Sequence, residues 1–283
     1  MSKNKQLKMG ILGLLLVIPS FLVLFVIVVI PILISLKESF VNKTGGYDLS
    51  NYTYLFTDKL MRSNIIFTLE VTVISCILVL VVSYALAVYM RFNNGTVVRW
   101  IRRMYMIPIF IPSVIATYGL IQLLGNHGWV SRFLLLAHVD TMPRIIFDMK
   151  GIIIANLWFN IPFTTMLLGS ALSGVPNSII ESAKDVGAGG LRIFFRFVLP
   201  LTYKTLLVAV TFVFMGVIGS FTAPFLVGAN APQMLGVSME QIFSVFQEKQ
   251  LAAATAFFTF LLCSVMGYFY IRTMIQEEGA RSS

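Results

Sequence analysis

Charge is scarce in this 283-residue chain: 12% of its residues are Asp, Glu, Lys or Arg, against about 25% in a soluble domain. With 58% of residues apolar and a mean hydropathy of +0.87, that scarcity excludes disorder, coiled coil and an ordinary soluble enzyme. A soluble core cannot bury so much apolar surface. Thiols are as sparse. Cys76 and Cys263 sit inside apolar runs on different segments and read as free buried cysteines, not as a disulfide or metal site. The two histidines, His127 and His138, have no ligand-spaced partner, so no metal site is expected. No Gly-x-x-x-x-Gly-Lys-Ser/Thr phosphate cradle occurs, and the glycines between 187 and 190 have no such lysine.

What is present is a series of continuous apolar runs at about 10–36, 65–90, 104–124, 151–172, 203–228 and 251–272. Each is long enough to cross the roughly 30 Å of bilayer hydrocarbon. The runs do not alternate, which excludes a barrel. The first is too long for a signal-peptide core, and no small-residue cleavage site follows before Lys37. The expected fold class is an all-α polytopic membrane protein, one bundle over 1–283 with no separate soluble domain.

The net charge of +9 then reads as a topology signal rather than a nucleic-acid surface. Lys3, Lys5, Lys8, Arg91, Arg99, Arg102, Arg103, Lys184, Arg192, Arg196, Lys204, Arg272 and Arg281 fall on one side of the six runs. Lys37, Lys43, Lys59, Arg62, Arg132, Arg144, Lys150 and Lys249 fall on the other, mixed with Glu38, Asp48, Asp58, Asp140, Asp148, Glu240 and Glu248. The basic excess puts both termini and the 91–103 and 173–202 loops in the cytoplasm. Trp100 and Trp129 read as interfacial anchors.

One inner loop, 173–202, differs from the short connections elsewhere. Pro176 stops the preceding span, and Ser178 with Glu181 three residues on predicts a capping box. Ile179, Ala183 and Val186 are expected on one helical face, with Glu181, Lys184 and Asp185 elsewhere around it. Gly187, followed by Gly189 and Gly190, ends that helix. A second helix, Leu191 to Leu199, is expected beside the membrane until Pro200 opens the fifth span. The result is a short helix held out from the bilayer: either a surface helix with no partner or a docking knob for a soluble protein.

Glu181-Ser182-Ala183, then Gly187, then Leu199-Pro200 resembles the EAA loop of permease subunits of binding-protein-dependent ABC importers. Ser182 replaces the second-position Ala, and Phe197 stands where the pattern has Ile. Asn64 to Leu69, the 106–112 entry to the third span, the 219–224 run in the fifth and Leu226-Val-Gly228 look familial as well. The segment from Pro108 to Gly187 is most similar to the spermidine/putrescine permease branch, which also takes in phosphonate, opine and some iron(III) and thiosulfate systems.

The resemblance implies the type I importer permease fold over 1–283, in a bacterial cell membrane, with 173–202 as the cytoplasmic EAA loop. It implies that Glu181, Ser182, Ala183, Asp185, Gly187, Leu199 and Pro200 couple the chain to a cytoplasmic ABC ATPase dimer. ATP and Mg would then belong to that partner, with no cofactor on this chain and no enzymatic activity of its own. A second permease subunit, homologous or a second copy of this chain, and an extracellular or periplasmic substrate-binding protein complete the implied assembly. The expected cargo is a polyamine or phosphonate-type solute, with iron(III), inorganic anion or sugar as alternatives.

Substrate contacts are less specified. Glu70 is an acid inside a span, which marks a functional site by default; it either guides a cation or pairs with a nearby Arg or Lys. Tyr118, Gln122 and Asn126 are spaced by four, as are Asn160 and Thr164, and Ser220 and Thr222 lie in the fifth run. These side chains serve either a pathway or interhelical hydrogen bonds. Pro108, Pro112 and Pro162 are expected to kink or break spans. An ion-coupled secondary carrier would need ionisable groups in several spans, where Glu70 stands nearly alone. An intramembrane enzyme would need a histidine or a paired acid inside the spans.

Overall fold

The computed structural model describes residues 3–138, 145–229 and 231–281, and side chains from residue 14 to residue 272 within these, with Ile275. Of the charges used for orientation, Asp140 and Arg144 lie outside the described residues, as do the side chains of Lys3, Lys5, Lys8 and Arg281. The chain divides into two compact units, 1–58 with 239–258 and 59–238 with 259–283.

In the first unit, α1 (Lys3–Leu24) passes through a π turn at Phe25–Val29 into α2 (Ile30–Ser39), and α3 (Ser50–Thr57) follows a short loop. The π turn ends two residues before Pro31, where a wider turn accommodates the proline ring and its missing N–H. The loop is tied by its own polar side chains. Asn42 Oδ1 accepts from the backbone of Thr44 and Gly46, and Asn51 Nδ2 donates to the carbonyls of Ser39 and Val41. The Ser50 hydroxyl, the Asn42 amide and the Ser50 backbone N–H all donate to Asp48 and hold its carboxyl below the ordinary 3.8. Lys43 Nζ lies 2.6 Å from Glu248 Oε1.

The second unit is built around α4 (Lys59–Phe92), whose 34 residues rise about 51 Å. α5 (Thr96–Met104), α6 (Ser113–Leu124) and α7 (Trp129–Leu136) lead to α8 (Met149–Ser173). The surface helix α9 (Asn177–Asp185) and the single turn α10 (Gly190–Ile193) precede α11 (Leu199–Ile218). α12 (Thr222–Val227), α13 (Leu235–Ser244) and α14 (Lys249–Arg281) complete the chain; α13 and α14 each cross from one unit to the other.

α4, α8 and α11 pack against one another. The seam of α4 repeats every four residues or so: Asn64, Thr68, Thr72, Val79, Ser83 and Ala87 are buried, while Ile66, Val73, Ile77 and Val81 face outward. Small residues on the seam let helices approach where lipid provides no hydrophobic drive between them. Two apolar clusters result. One joins Val71, Val79, Ile152, Ala155, Val217 and Val227. The other joins Tyr84, Ala87, Leu168, Leu172, Ile180 and Val198 at the far end of α4.

Among the described residues, five helical stretches are long and apolar enough to cross a membrane: Leu14–Ser39, Lys59–Phe92, Met149–Ser173, Gly190–Ile218 and Lys249–Arg272. The run expected as one span at 104–124 is instead broken. Thr96–Phe110 and Ser113–Leu136 are bent by 111°, with Pro108 in a 3-10 turn and Pro112 at the N-cap of α6. Pro162, in contrast, lies within the continuous α8. The run expected at 203–228 ends at Ile218, and the chain restarts as α12 after Gly219 to Phe221. Leu191 to Leu199 is no separate membrane-surface helix: α10, a π turn at Phe194–Val198 and α11 form one 29-residue stretch. Here too the π turn precedes a proline, Pro200, by two residues.

Candidate functional site

α9 is a short helix with one buried and one exposed face. Ile180 and Ala183, one turn apart, are buried in the cluster made by Tyr84, Ala87, Leu168, Leu172, Val175, Ile193 and Val198. Glu181, Ser182, Lys184 and Asp185 are exposed, and among the described residues none of the three charges makes an ion pair. The expected apolar face was misplaced by part of a turn. Val186 is 84% exposed and Ile179 only half-buried, because Ile180 rather than Val186 lines up with Ala183 on the side facing α4 and α8.

The helix starts differently from the expected capping box. Its N-cap is Pro176 and no side chain caps it, so Ser178 is already inside the first turn and Glu181 is a turn further on. Asn177 Oδ1 accepts a hydrogen bond from Arg91 Nη2 at 2.5 Å. The C-terminal end follows the expectation. Gly187 has φ +78° and its N–H donates to Lys184 O at 2.8 Å, while Ala188 N–H donates to Ala183 O at 3.0 Å. This is the paired bonding of a Schellman motif, for which glycine in the left-handed region is the natural residue. Gly189 is in ordinary extended geometry at φ −69°. Of the three glycines, only Gly187 is required by the turn.

Beyond the turn, Phe197 and Leu199 pack against the same cluster as α9, and Pro200 lies in the first turn of α11. The spaced residues Glu181 to Pro200 therefore form one structural element, a projecting helix and the apolar seat that holds it. Two polar side chains that sequence reasoning passed over lock the seat. The Tyr84 hydroxyl bonds the Thr202 hydroxyl, tying α4 to the first turns of α11. Phe194 packs edge-on to the Tyr84 ring at 5.3 Å. Arg91, counted in the sequence only as a topology charge, bridges α4 to the end of α8 and the start of α9.

The residues considered for a pathway are not gathered into one site. Glu70 is exposed on α4, and among the described residues no Lys or Arg lies within ion-pair distance of it. Tyr118 and Gln122 are exposed on α6, but Asn126 lies past the end of that helix, beyond Gly125, and does not continue its face. Asn160 Nδ2 donates to Asn156 O at 2.9 Å. Thr164 is buried, and its hydroxyl has no hydrogen-bond partner among the described residues, so it does not share an open face with Asn160. Ser220 lies in the break between α11 and α12 with its hydroxyl 3.9 Å from Met234 Sδ, and Thr222 begins α12 half-buried.

A buried polar seam near Glu70 escaped the sequence reading. Asn64 Nδ2 donates to Ser238 Oγ and its Oδ1 accepts from Gln233 N, while Thr68 Oγ1 accepts from Leu235 N. The chain around Gly236 approaches so closely that a Cβ there would lie 2.8 Å from Ser220 O. Among the described residues, no group of three His, Cys, Asp or Glu is placed to hold a metal.

Comparison with known proteins adds family to geometry. Residues 80–273 match the family model described as "Binding-protein-dependent transport system inner membrane component". The chain is 28% identical over 262 residues to the spermidine/putrescine transport system permease protein PotB of Escherichia coli (strain K12), covering 90% of this chain and 94% of that one. It is 26% identical to PotB of Haemophilus influenzae, at 90% and 91% coverage. It is 24% identical over 187 residues to the molybdenum transport system permease protein ModB of Azotobacter vinelandii, at 66% and 81%. In fold it is similar to a chain of a bacterial ABC transporter that imports the acidic polysaccharide alginate, with a TM-score of 0.80, 16% identity, and 96% and 98% coverage. A chain of the MetNI methionine ABC transporter in an inward-facing conformation matches at a TM-score of 0.58 and 17% identity, covering 76% of this chain and 96% of that one.

Proposed function

Since this chain belongs to the family of binding-protein-dependent transport system inner membrane components, and so is a multi-pass permease rather than an enzyme, we propose that α9 is the element through which a separate cytoplasmic ABC ATPase drives it. The observation that carries this reading is the division of α9. Ile180 and Ala183 are sunk in the common ends of α4, α8 and α11, while Glu181, Ser182 and Asp185 face out. A helix seated at the meeting point of all three is placed to pass a pull on its outer face into the bundle. Closure of an ATPase dimer on ATP would supply the differential stabilisation of two states, inward- and outward-facing, that alternating access requires.

On this reading the α9 end of the bundle is cytoplasmic, both termini are cytoplasmic, and the loops around 37–63, 125–150 and 229–250 meet a substrate-binding protein outside. The broken pair at 110–113 and the break at 219–221 lie along the same bundle. Non-helical backbone at membrane depth is tolerated where it is buried in protein or lines a cavity, which supports a pathway along these breaks. The permease pairs with a homologous subunit or with a second copy of itself.

The cargo proposed is a polyamine. It rests on the spermidine/putrescine permeases that the chain resembles over 90% of its length and on Glu70, an exposed carboxylate on α4 with no ion pair among the described residues, suited to a cation. The test is reconstitution of the complex with its ATPase and binding protein in proteoliposomes. ATP-dependent uptake of labelled spermidine is expected, and none without ATP. Uptake driven by an ion gradient alone would overturn the reading in favour of a secondary carrier.

A further inference from the structure

The contacts of Arg91 assign a role to a residue that neither the family motif nor the apolar seat includes. Arg91 lies in the last turn of α4. Its Nε donates to Leu172 O at 3.3 Å, and its Nη2 donates to Val175 O at 3.4 Å and to Asn177 Oδ1 at 2.5 Å. Its guanidinium carbon sits 5.5 Å from the centre of the Phe92 ring. Leu172 is in the last turn of α8, Val175 is in the linker and Asn177 is the first residue of α9.

The contacts to Leu172 O and Val175 O answer a need of the backbone. The last carbonyls of a helix have no partner within it, and that end carries partial negative charge. A planar guanidinium with donors in a fixed fork meets several such acceptors at once, which an ammonium on a flexible stem does not. Ile180 and Ala183 of α9 share an apolar cluster with Tyr84 and Ala87 of α4. Dispersion contacts resist separation but are weakly directional. The hydrogen bonds of Arg91 add a directional tie from α4 to the end of α8, the linker and the first residue of α9.

We propose that Arg91 is the positioning residue that makes α4 follow α9, so that displacement of the surface helix is delivered to α4 as well as to its covalent neighbours α8 and α11. The proposal rests on α9 being the ATPase-contacting helix. Without the fork, α9 would still be seated and the complex would still assemble, but motion of α9 would be lost as slip against α4.

The experiment uses the full complex with its ATPase and cognate binding protein in nanodiscs. Two readouts are taken: stimulation of ATP hydrolysis by the loaded binding protein, and the distance between spin labels at Val186 and Asn94 in nucleotide-free and vanadate-trapped states. With Arg91 present, one narrow distance common to both states is expected. For Arg91→Gln the distance should differ between the states, and stimulation should fall at least fivefold, the lower end of ordinary coupling energies. Arg91→Lys should recover part of the stimulation, and Asn177→Ala should lose less than Arg91→Gln. Unchanged stimulation and an unchanged distance in Arg91→Gln would overturn the proposal. If Arg91→Gln fails to assemble, Asn177→Ala decides by the same two readouts, and wild-type values there overturn it. Gly187→Asp separates the two levels: wild-type transport in that variant removes α9 as the ATPase contact. Loss of transport there with full coupling in the Arg91 and Asn177 variants removes only the role of Arg91.

Discussion

The hydroxyl of Thr68 accepts the backbone N–H of Leu235 at 2.9 Å and donates to the carbonyl of Asn64 at 2.7 Å. One buried side chain thus joins α4 to the first turn of α13, 167 residues away. Asn64 repeats the arrangement one turn earlier with Gln233 and Ser238. The segment 233–238 is held on α4 by polar groups that water cannot reach.

Thr68→Val should therefore destabilise the protein despite its near-identical shape. It leaves the Leu235 N–H buried without an acceptor, at a cost of about 1–3 kcal/mol. Thr68→Ser, which keeps the hydroxyl, should restore most of it. The thermal unfolding midpoint of the purified complex measures both, and equal midpoints for Val and wild type would remove the bond from consideration.

At the other end of the bundle, Glu181→Lys and Gly187→Asp should insert and express normally yet abolish ATP-driven transport. Normal uptake by either well-expressed variant would sink the assignment of α9.

The glycines that follow α9 should not respond alike to alanine. Gly187 has open space around its Cα but a φ of +78°, so Gly187→Ala meets no clash and costs only backbone strain, roughly 1–2 kcal/mol. Gly190 has the same open space without the positive φ, and Gly190→Ala should be close to neutral. Comparing protease susceptibility of the 184–190 segment in the two variants would show the difference.

Glu70→Gln removes the carboxylate from the outward face of α4 while preserving size. If a polyamine passes this position, spermidine uptake should fall on the order of tenfold, equivalent to about 1.4 kcal/mol of lost attraction, with Glu70→Asp retaining more. Unaltered uptake in Glu70→Gln would take Glu70 out of the pathway.

Asp48 provides a pH-dependent prediction. Its carboxyl is held below 3.8 by donors from Ser50 and Asn42. The folded form thus binds protons less readily than the unfolded one, and the stabilisation is complete above 3.8. It is lost as pH falls through the lower folded value. Amide exchange in residues 42–50 should accelerate only below about pH 4, and Asp48→Asn should exchange faster already at neutral pH.

Much of α9 was legible because its signals are local. Pro176, the charges at 181, 184 and 185, and a glycine at 187 that must take positive φ are each read within a few residues. The capping box failed because Ser178 and Glu181 fit the pattern, but the helix begins two residues earlier, with Pro176 at the N-cap, and Asn177 is engaged by Arg91. Val186 was misassigned because it falls at the C-cap, past the end of a nine-residue helix, and the helix itself offers two nearby apolar lines, through 179-183 and through 180-183. Only the position of α4 selects between them. The broken third run had its cause in plain sight at Pro108 and Pro112, but prolines in apolar runs do not announce whether they break a helix, as the uninterrupted passage through Pro162 shows.

By itself the sequence determined that this chain fills a bilayer with helices, where charge would orient them, and which short segment stands outside. Those properties follow from hydropathy, the 3.6-residue period and the φ limits of proline and glycine, all short-range. Tertiary structure decided that Arg91 binds the ends of α8 and α9, 81 to 86 residues away, and that Thr68 and Asn64 hold the 233–238 segment. It also decided that the small residues of α4 face α8 rather than lipid. In a chain where nearly every span is apolar all round, periodicity does not select a partner. Small side chains that permit close approach, and polar groups that need a mate away from water, make that selection once the helices are together.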